Sequence, residues 1–345
     1  MSHALAACYG DAMNTLAGLT SSYLAALESG GYAANTIRTR ARVARAFLAL
    51  TGDKPLSAVT AEDVDLYFAN RSAAGLSPAT SNLERTALTK MFDWALDRRL
   101  LGAELPHPVR HRRRLRVQAR PKRRLPASEF GRLLDAAEHP RDRAVLALGI
   151  YLLLRQSEIA DLRVGDVDLT HGTVAVRVLK TGKHDLMPVS AELDRELRSW
   201  LSWYATQVGP LADHYRLVPA KGRPVGAVTD GPLKPTTPVA QPERIVHRAL
   251  AAIGHETRDE DGNPIRDGIH TLRRSAARAM FDRLVEDGYD GAGRVVQSLL
   301  HHASFRQTEV YLGIDMDSIR RDELLRGRPM FTQQQGVAQR RLVAV

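Results

Sequence analysis

Cysteine is almost absent from this chain of 345 residues, where Cys8 stands alone. A single cysteine excludes an internal disulfide framework and any zinc site built from several thiolates, and it fits a reducing compartment. Long apolar runs are missing as well. The longest, residues 144–154, falls well short of the roughly 20 residues that cross a bilayer. The N-terminus shows no basic patch followed by an apolar segment, so no secretory signal is expected and the expectation is a soluble, cytoplasmic protein with no membrane partner. There is no His-Glu-x-x-His pair and no Gly-x-x-x-x-Gly-Lys-Ser/Thr loop, so neither a metal nor a nucleotide cofactor is implied. Acidic residues are the scarcer charge, 39 against 49 Lys and Arg, and the net charge of +10 points to a polyanionic partner, most simply nucleic acid.

What is present divides the chain. Apolar residues at helical spacing predict helices over 13–29 (Leu16, Leu19, Tyr23, Leu24, Leu27) and 36–50 (Ile37, Val43, Phe47, Leu48, Leu50), with Arg38, Arg40, Arg42 and Arg45 set between the latter. Thr60 is placed as an N-cap with Glu62 and Asp63 in the first turn. Ser77-Pro78 is a cap followed by proline at the first helical position, opening a helix to about Arg99. After an N-terminal extension (1–12), residues 13–103 thus form a small helical domain.

Acidic residues are then missing from a whole segment. Arg110, Arg112, Arg113, Arg114, Arg116, Arg120, Lys122, Arg123 and Arg124 follow one another with prolines at 106, 108, 121 and 126 around them, so residues 104–124 are a basic linker rather than a helix. Such a segment is either a solvated hinge or one that lies along phosphates, which would neutralise its self-repulsion. A second domain, 125–328, opens with a helix capped by Ser128 and running to Glu138, then a strongly apolar helix over 141–154. Alternation over 164–190 (Val167, Leu169; Val174, Val176, Val178; Leu186, Pro188, Val189) predicts a three-stranded antiparallel sheet with turns at His171-Gly172 and 180–183. Helix returns at 192–207. Residues 219–242, rich in Gly and Pro, read as a loop. Helices follow at 243–253, 270–287, 291–300 and 308–311, with a last one at 318–325 before a tail, 329–345. The fold class is mainly α with a small antiparallel β-sheet.

Into this second domain falls an ordered set: Arg155-Gln156-Ser157-Glu158, Lys180-Thr181-Gly182-Lys183, His270-Thr271-Leu272-Arg273, Leu300-His301-His302, and Tyr311, nine residues after His302. Over residues 125–330 the chain resembles the tyrosine recombinases, the family of phage integrases and Xer-type recombinases. The resemblance implies a two-domain architecture, a helical core-binding domain plus an α+β catalytic domain. It also implies a site-specific recombinase or integrase that cleaves and rejoins DNA through a 3′-phosphotyrosine and a Holliday junction, metal- and ATP-independent.

Each residue then has an expected role. Tyr311 is the nucleophile; a phenol with pKa near 10 needs help to lose its proton. Arg155 and Arg273 are planar, permanently charged forks for the phosphate oxygens. Glu158 is expected to position Arg155 or a neighbour. His270 accepts the tyrosine proton or orients the attacking oxygen, and His302 donates to a non-bridging oxygen. Lys180, with Lys183 as runner-up, protonates the leaving 5′-oxygen. Two departures stand out: relatives carry glycine just before the arginine, where this chain has Leu154, and glycine before the second histidine, where it has His301. The implied partners are double-stranded DNA sites, contacted by the linker and by Arg38 and Arg42, a homo-tetramer assembled on two sites, and an accessory directionality factor. Ile319, Leu324 and Leu325 are candidates for packing at home or on a neighbouring protomer. Only about a dozen residues precede the first helix, which favours a compact recombinase without an arm-binding domain. The alternatives are a type IB topoisomerase-like enzyme and a DNA-binding regulator with a decayed site.

Overall fold

Side-chain caps and prolines set the helix boundaries of the N-terminal unit. Thr15 Oγ1 accepts from Gly18 N (3.2 Å) and opens α1, Leu16–Ser29. The second helix, α2, is Ala34–Thr51. Asp63 Oδ2 accepts from Thr60 N (2.8 Å) at the start of α3, Ala61–Ala73, while Asp63 also binds Lys54. Ser77 Oγ accepts from Thr80 N (3.3 Å) ahead of Pro78 and opens α4, Pro78–Asp97. The apolar stripes meet in a core whose centre is Phe47, edge-on to both Tyr67 (5.5 Å) and Phe92 (6.1 Å).

The computed structural model describes residues 14–102, 105–117, 123–178, 182–222, 231–258, 262, 265, 267–314, 321–322 and 325–326. The chain divides into two compact units, Met1–Arg120 and Pro121–Val345, each with its own core.

Residues 105–117 belong to the first unit. Val109 is buried in its core, and Asn82 of α4 exchanges two hydrogen bonds with the main chain of Leu115 (2.8 Å each). Arg110 pairs with Asp93 (2.9 Å). Arg112 pairs with Asp65 (3.0 Å) and lies 4.3 Å over the Phe68 ring. The counter-charge absent from the local sequence comes from α3 and α4.

In the second unit, α5 (Glu129–Asp135) ends short of Glu138, and Ser128 makes no capping bond. The central helix is α6, Pro140–Tyr151, with Ala144, Val145, Leu146, Ala147, Leu148 and Ile150 all buried. It stops three residues before the expected end, because Leu153 is left-handed (φ 52°) and no α-helix passes through that conformation. A short helix, α7 (Gln156–Asp161), follows. The strands are β1 (Val167–Asp168), β2 (Thr173–Val178) and β3 (Lys183–Pro188), antiparallel in the order β1-β2-β3, with β2 and β3 in register from Thr173↔Pro188 to Val178↔Lys183. Val174, Val176 and Val178 face the core. Next comes α8, Ala191–Val208.

The loop expected over 219–242 is corrected: β4 (Pro219–Lys221) and β5 (Leu233–Pro238) form a two-stranded antiparallel ribbon. Its prolines are compatible with strand because both strands of such a ribbon are edges, where a missing N–H goes unnoticed. The remaining helices are α9 (Pro242–Ala252), α10 (Ile269–Glu286), α11 (Ala292–Leu299) and α12 (Phe305–Leu312). Gly149 of α6 lets α10 come close: a Cβ there would stand 3.3 Å from Leu272 Cδ1. Most of the helix expected at 318–325, with Ile319 and Leu324, lies outside the described residues; Leu325 is exposed.

Candidate active site

Three chain segments that end or begin helices converge beside α10. The first is the left-handed Leu153 and the α7 start at Arg155. The second is the end of α11 at Leu300-His301-His302. The third is α12, which carries Tyr311. α10 itself contributes Arg273, from a turn whose neighbour Leu272 fits against Gly149.

Arg273 is 1% exposed. Its Nη1 donates to the carbonyl of Leu153 and its Nη2 to that of Leu300, while Nη1 lies 3.6 Å from Glu158 Oε2. Arg155 uses the same acceptors: Nη2 donates to Leu300 O (3.1 Å) and Nη1 to Glu158 Oε1 (2.7 Å), and its main-chain N donates to Glu158 Oε2 (2.7 Å). One carbonyl and one buried carboxylate therefore gather both guanidiniums. Helix C-termini suit cations because their last carbonyls lack partners. The left-handed turns at Leu153 and His301 end α6 and α11 where those carbonyls meet the arginines. Burial first, then repulsion from Arg155, push the Arg273 guanidinium down to about 10, so it remains charged at neutral pH.

Tyr311 lies against this pair. Burial raises its phenol above the ordinary value, and the charges of Arg273, Arg274 and Arg155 oppose that rise. Its hydroxyl donates to the carbonyl of His270 (3.4 Å), and its ring meets His302 edge-on at 5.2 Å. The His302 ring is oriented by Nδ1, 3.1 Å from the buried Thr308 hydroxyl. The His270 side chain is exposed in the first turn of α10.

The expected residues Tyr311, Arg155, Arg273, His302 and Glu158 are thus brought together, with His270 at the edge. Lys180 lies outside the described residues, and of Lys183 only the main chain, at the start of β3, is described. The basic residues are distributed unevenly. Arg113, Arg114 and Arg116 are exposed, and Arg110 and Arg112 have the carboxylates named above. Arg120 and Lys122 lie outside the described residues. Arg123 binds Asp267 (3.0 Å), and Arg124 lies against Gly313, where any side chain would collide with its guanidinium. Arg38 is exposed, while Arg42 joins Arg71 and the Tyr67 hydroxyl around the fully buried Glu84. Sequence reasoning missed Arg274. It is 8% exposed, not a surface arginine, and its Nη2 donates to the same His270 carbonyl as Tyr311 (3.4 Å). Its adjacency to Arg273 hid it, since consecutive helix residues ordinarily face apart.

Tyr311, Arg155, Arg273, Arg274, His270, His302 and Glu158 all fall within residues 123–317, which match the model of the phage integrase family, and residues 20–99 match that of the phage integrase N-terminal SAM-like domain. The chain belongs to the phage integrase family. It is a tyrosine-type site-specific recombinase, an enzyme of DNA strand breakage and rejoining; the resemblance read in the sequence is borne out, and the topoisomerase and decayed-regulator alternatives are not favoured. Among relatives of the recombinase, the tyrosine recombinase XerD of Ralstonia nicotianae is 32% identical over 267 residues, 75% of this chain and 77% of the relative. The tyrosine recombinase XerC of Mycobacterium bovis is 32% identical over 291 residues, 80% and 85% of the two chains. The fold is that of lambda integrase in a dimer bound to a COC′ core site (TM-score 0.64, 20% identity, 86% of this chain and 77% of that one). It is also that of the Tn1549 transposon integrase in complex with transposon right end DNA (TM-score 0.63, 17% identity, 90% and 98%). The two-domain architecture expected from the sequence matches these neighbours. No helix among the described residues is long and apolar enough to cross a membrane.

Proposed function

We propose that the recombinase opens a DNA strand by attack of the Tyr311 oxygen on a backbone phosphorus. The new bond is a 3′-phosphotyrosine, and the bond to the 5′-oxygen breaks. The observation that carries this reading is the convergence of the Tyr311 phenol with two guanidiniums held on one carbonyl and one carboxylate. Arg155, whose side chain is 25% exposed, meets the phosphate first, with Arg273 behind it. Two fixed cations stabilise the negative five-coordinate phosphorus more than the ground-state diester, and they favour the phenolate that must form. Glu158 orients both and does no chemistry itself. His270 takes the tyrosine proton, His302 donates to a non-bridging oxygen, and Lys180, or failing it Lys183, gives a proton to the departing 5′-oxygen. The phosphotyrosine conserves the energy of the broken bond, so the reading includes no nucleotide cofactor and no metal.

In this reading the substrate is duplex DNA, with Arg38, Arg113, Arg114 and Arg116 among the phosphate contacts. Four protomers pair two sites through a Holliday junction, and an accessory factor sets direction. The cytoplasm, where that DNA resides, is the proposed location. Solved relatives in the same fold include a lambda integrase tetramer bound to a Holliday junction, which supports the assembly.

The test is covalent capture. The chain is expressed in a host carrying its native flanking DNA, the lysate is denatured with EDTA present, and the DNA ends attached to protein are sequenced. Ends at paired sites that disappear in Tyr311→Phe are expected. A covalent adduct that persists in Tyr311→Phe would overturn the assignment of the nucleophile.

A further inference from the structure

Among the described residues the β2–β3 hairpin meets the active-site segments through a side chain of each strand: Arg177 of β2 pairs with Asp161 at the end of α7 (3.0 Å), and Asp185 of β3 pairs with His301 (2.8 Å). His301 follows Leu300, whose carbonyl holds both guanidiniums, and precedes His302. Its backbone is left-handed (φ 48°), a conformation that disfavours every residue with a Cβ, and the family resemblance places glycine there. A histidine held in that position has a reason visible in its side chain: Nε2–H donates to Asp185 Oδ2 at 2.8 Å. The ring is 11% exposed, and among the described residues its buried Nδ1 has no hydrogen-bond partner and Asp185 is the only side chain hydrogen-bonded to it.

Asp185 sits on β3, opposite Val176 and two residues from Lys183, where the strand pairing ends at Val178↔Lys183. Among the described residues β3 is the outer strand of its sheet, paired on one side with β2. An outer strand held along one edge keeps a hinge freedom that a bond from outside the sheet removes. The His301–Asp185 bond is such a restraint, and it is anchored on the turn that presents His302 and the Leu300 carbonyl.

We propose that His301 is a positioning residue for the leaving-group acid: through Asp185 it sets the hairpin so that the lysine in or beside its turn reaches the departing 5′-oxygen. As the phosphorus–oxygen bond breaks and the bond to Tyr311 forms, the ammonium gives its proton to that oxygen. The inference rests on the general-acid reading of Lys180 or Lys183 given above.

The test compares two leaving groups in single-turnover cleavage of a nicked duplex carrying the captured site, using the full chain. One substrate has the natural 5′-oxygen; the other has a 5′-bridging sulfur, whose thiolate leaves without an acid. His301→Gly suits the backbone, so it removes the restraint without straining the turn. General acids contribute about 10²–10⁴-fold, and a misplaced one is expected to lose about tenfold of that on the oxygen substrate. Cleavage of the sulfur substrate should stay within about twofold of the unmodified protein, because no proton is needed there. Asp185→Ala should reproduce the defect, while Asp185→Asn, which keeps an acceptor oxygen, should rescue it. His301→Gly slow on both substrates, or fast on both, while Lys180→Ala or Lys183→Ala is rescued by sulfur, overturns the positioning role alone. Both lysine variants slow on both substrates overturns the general-acid reading and this inference with it.

Discussion

Glu158→Gln isolates what the buried carboxylate does. The glutamine oxygen can still accept from Arg155 N, so the start of α7 keeps its cap. What disappears is a negative charge with a 2% exposed side chain, 2.7 Å from the Arg155 guanidinium and 3.6 Å from that of Arg273. Breaking a buried pair from one side costs about 3–5 kcal/mol, because the remaining charge is stranded. Arg155 retains contact with water and Arg273 keeps two carbonyls, so the lower end, about 3 kcal/mol, is expected. For a domain of roughly 150–250 residues each kcal/mol moves Tm by about 2–4 °C, so the transition of the catalytic unit should fall by about 6–12 °C. Calorimetry of the full chain reads this, with fluorescence as a second probe, since Trp200 and Trp203 pack in that unit and Trp94 in the other. Site DNA brings a phosphate to the same guanidiniums, so a saturating duplex should narrow the gap between the variant and the unmodified protein. An unchanged Tm without DNA would refute the reasoning. It would mean that the Leu153 and Leu300 carbonyls alone hold the two cations.

Two further expectations concern charge. Tyr311 has a folded-state pKa raised above its unfolded value near 10, so the stability it allows at lower pH is lost as pH rises through that value and beyond. Measured from pH 8 to 11, Tyr311→Phe should gain on the unmodified protein only above about pH 10, and a constant difference would contradict the raised phenol. In the segment 105–117, replacing exposed Arg113, Arg114 and Arg116 with glutamine should weaken DNA binding across sequences and reduce the log–log salt slope by about 2.7, at about 0.9 per phosphate contact. Arg112→Gln, which loses Asp65 and Phe68, should lower the melting point of the first unit and leave that slope almost unchanged.

The sequence made legible whatever rests on local pattern. Thr60 and Ser77 open helices because a cap acts within three residues, and β2 alternates because Val174, Val176 and Val178 share one face. Tyr311, Arg155, Arg273, His302 and Glu158 were legible through a spacing that the fold brings into one place. What escaped was non-local. The counter-charges of Arg110 and Arg112 lie on α3 and α4, far along the chain. Arg274 could not be told from a surface arginine, because its burial is set by packing around α10. The ribbon of β4 and β5 was hidden by its prolines. The departure visible in the sequence is Leu154, where the resembling family carries glycine just before the arginine; the left-handed residue is its neighbour Leu153, which the sequence did not single out.

That displacement explains how a leucine stands in a conformation suited to glycine. A left-handed backbone costs a residue with a side chain about 1–2 kcal/mol. Leu153 is buried in the core of the second unit, and full burial of a leucine contributes about 1.5–3 kcal/mol, enough to offset its own backbone. Glycine there would relax the turn and lose the contact, for little net change. At His301 the compensation differs in kind, a hydrogen bond to Asp185 rather than apolar burial. Both turns keep the geometry that sets the Leu153 and Leu300 carbonyls against the arginines, while their side chains take on separate work: one closes the core behind Arg273, and the other reaches the hairpin. The backbone at these turns is therefore constrained by Arg155 and Arg273, and the side chain is constrained by whatever lies on the other side of the turn.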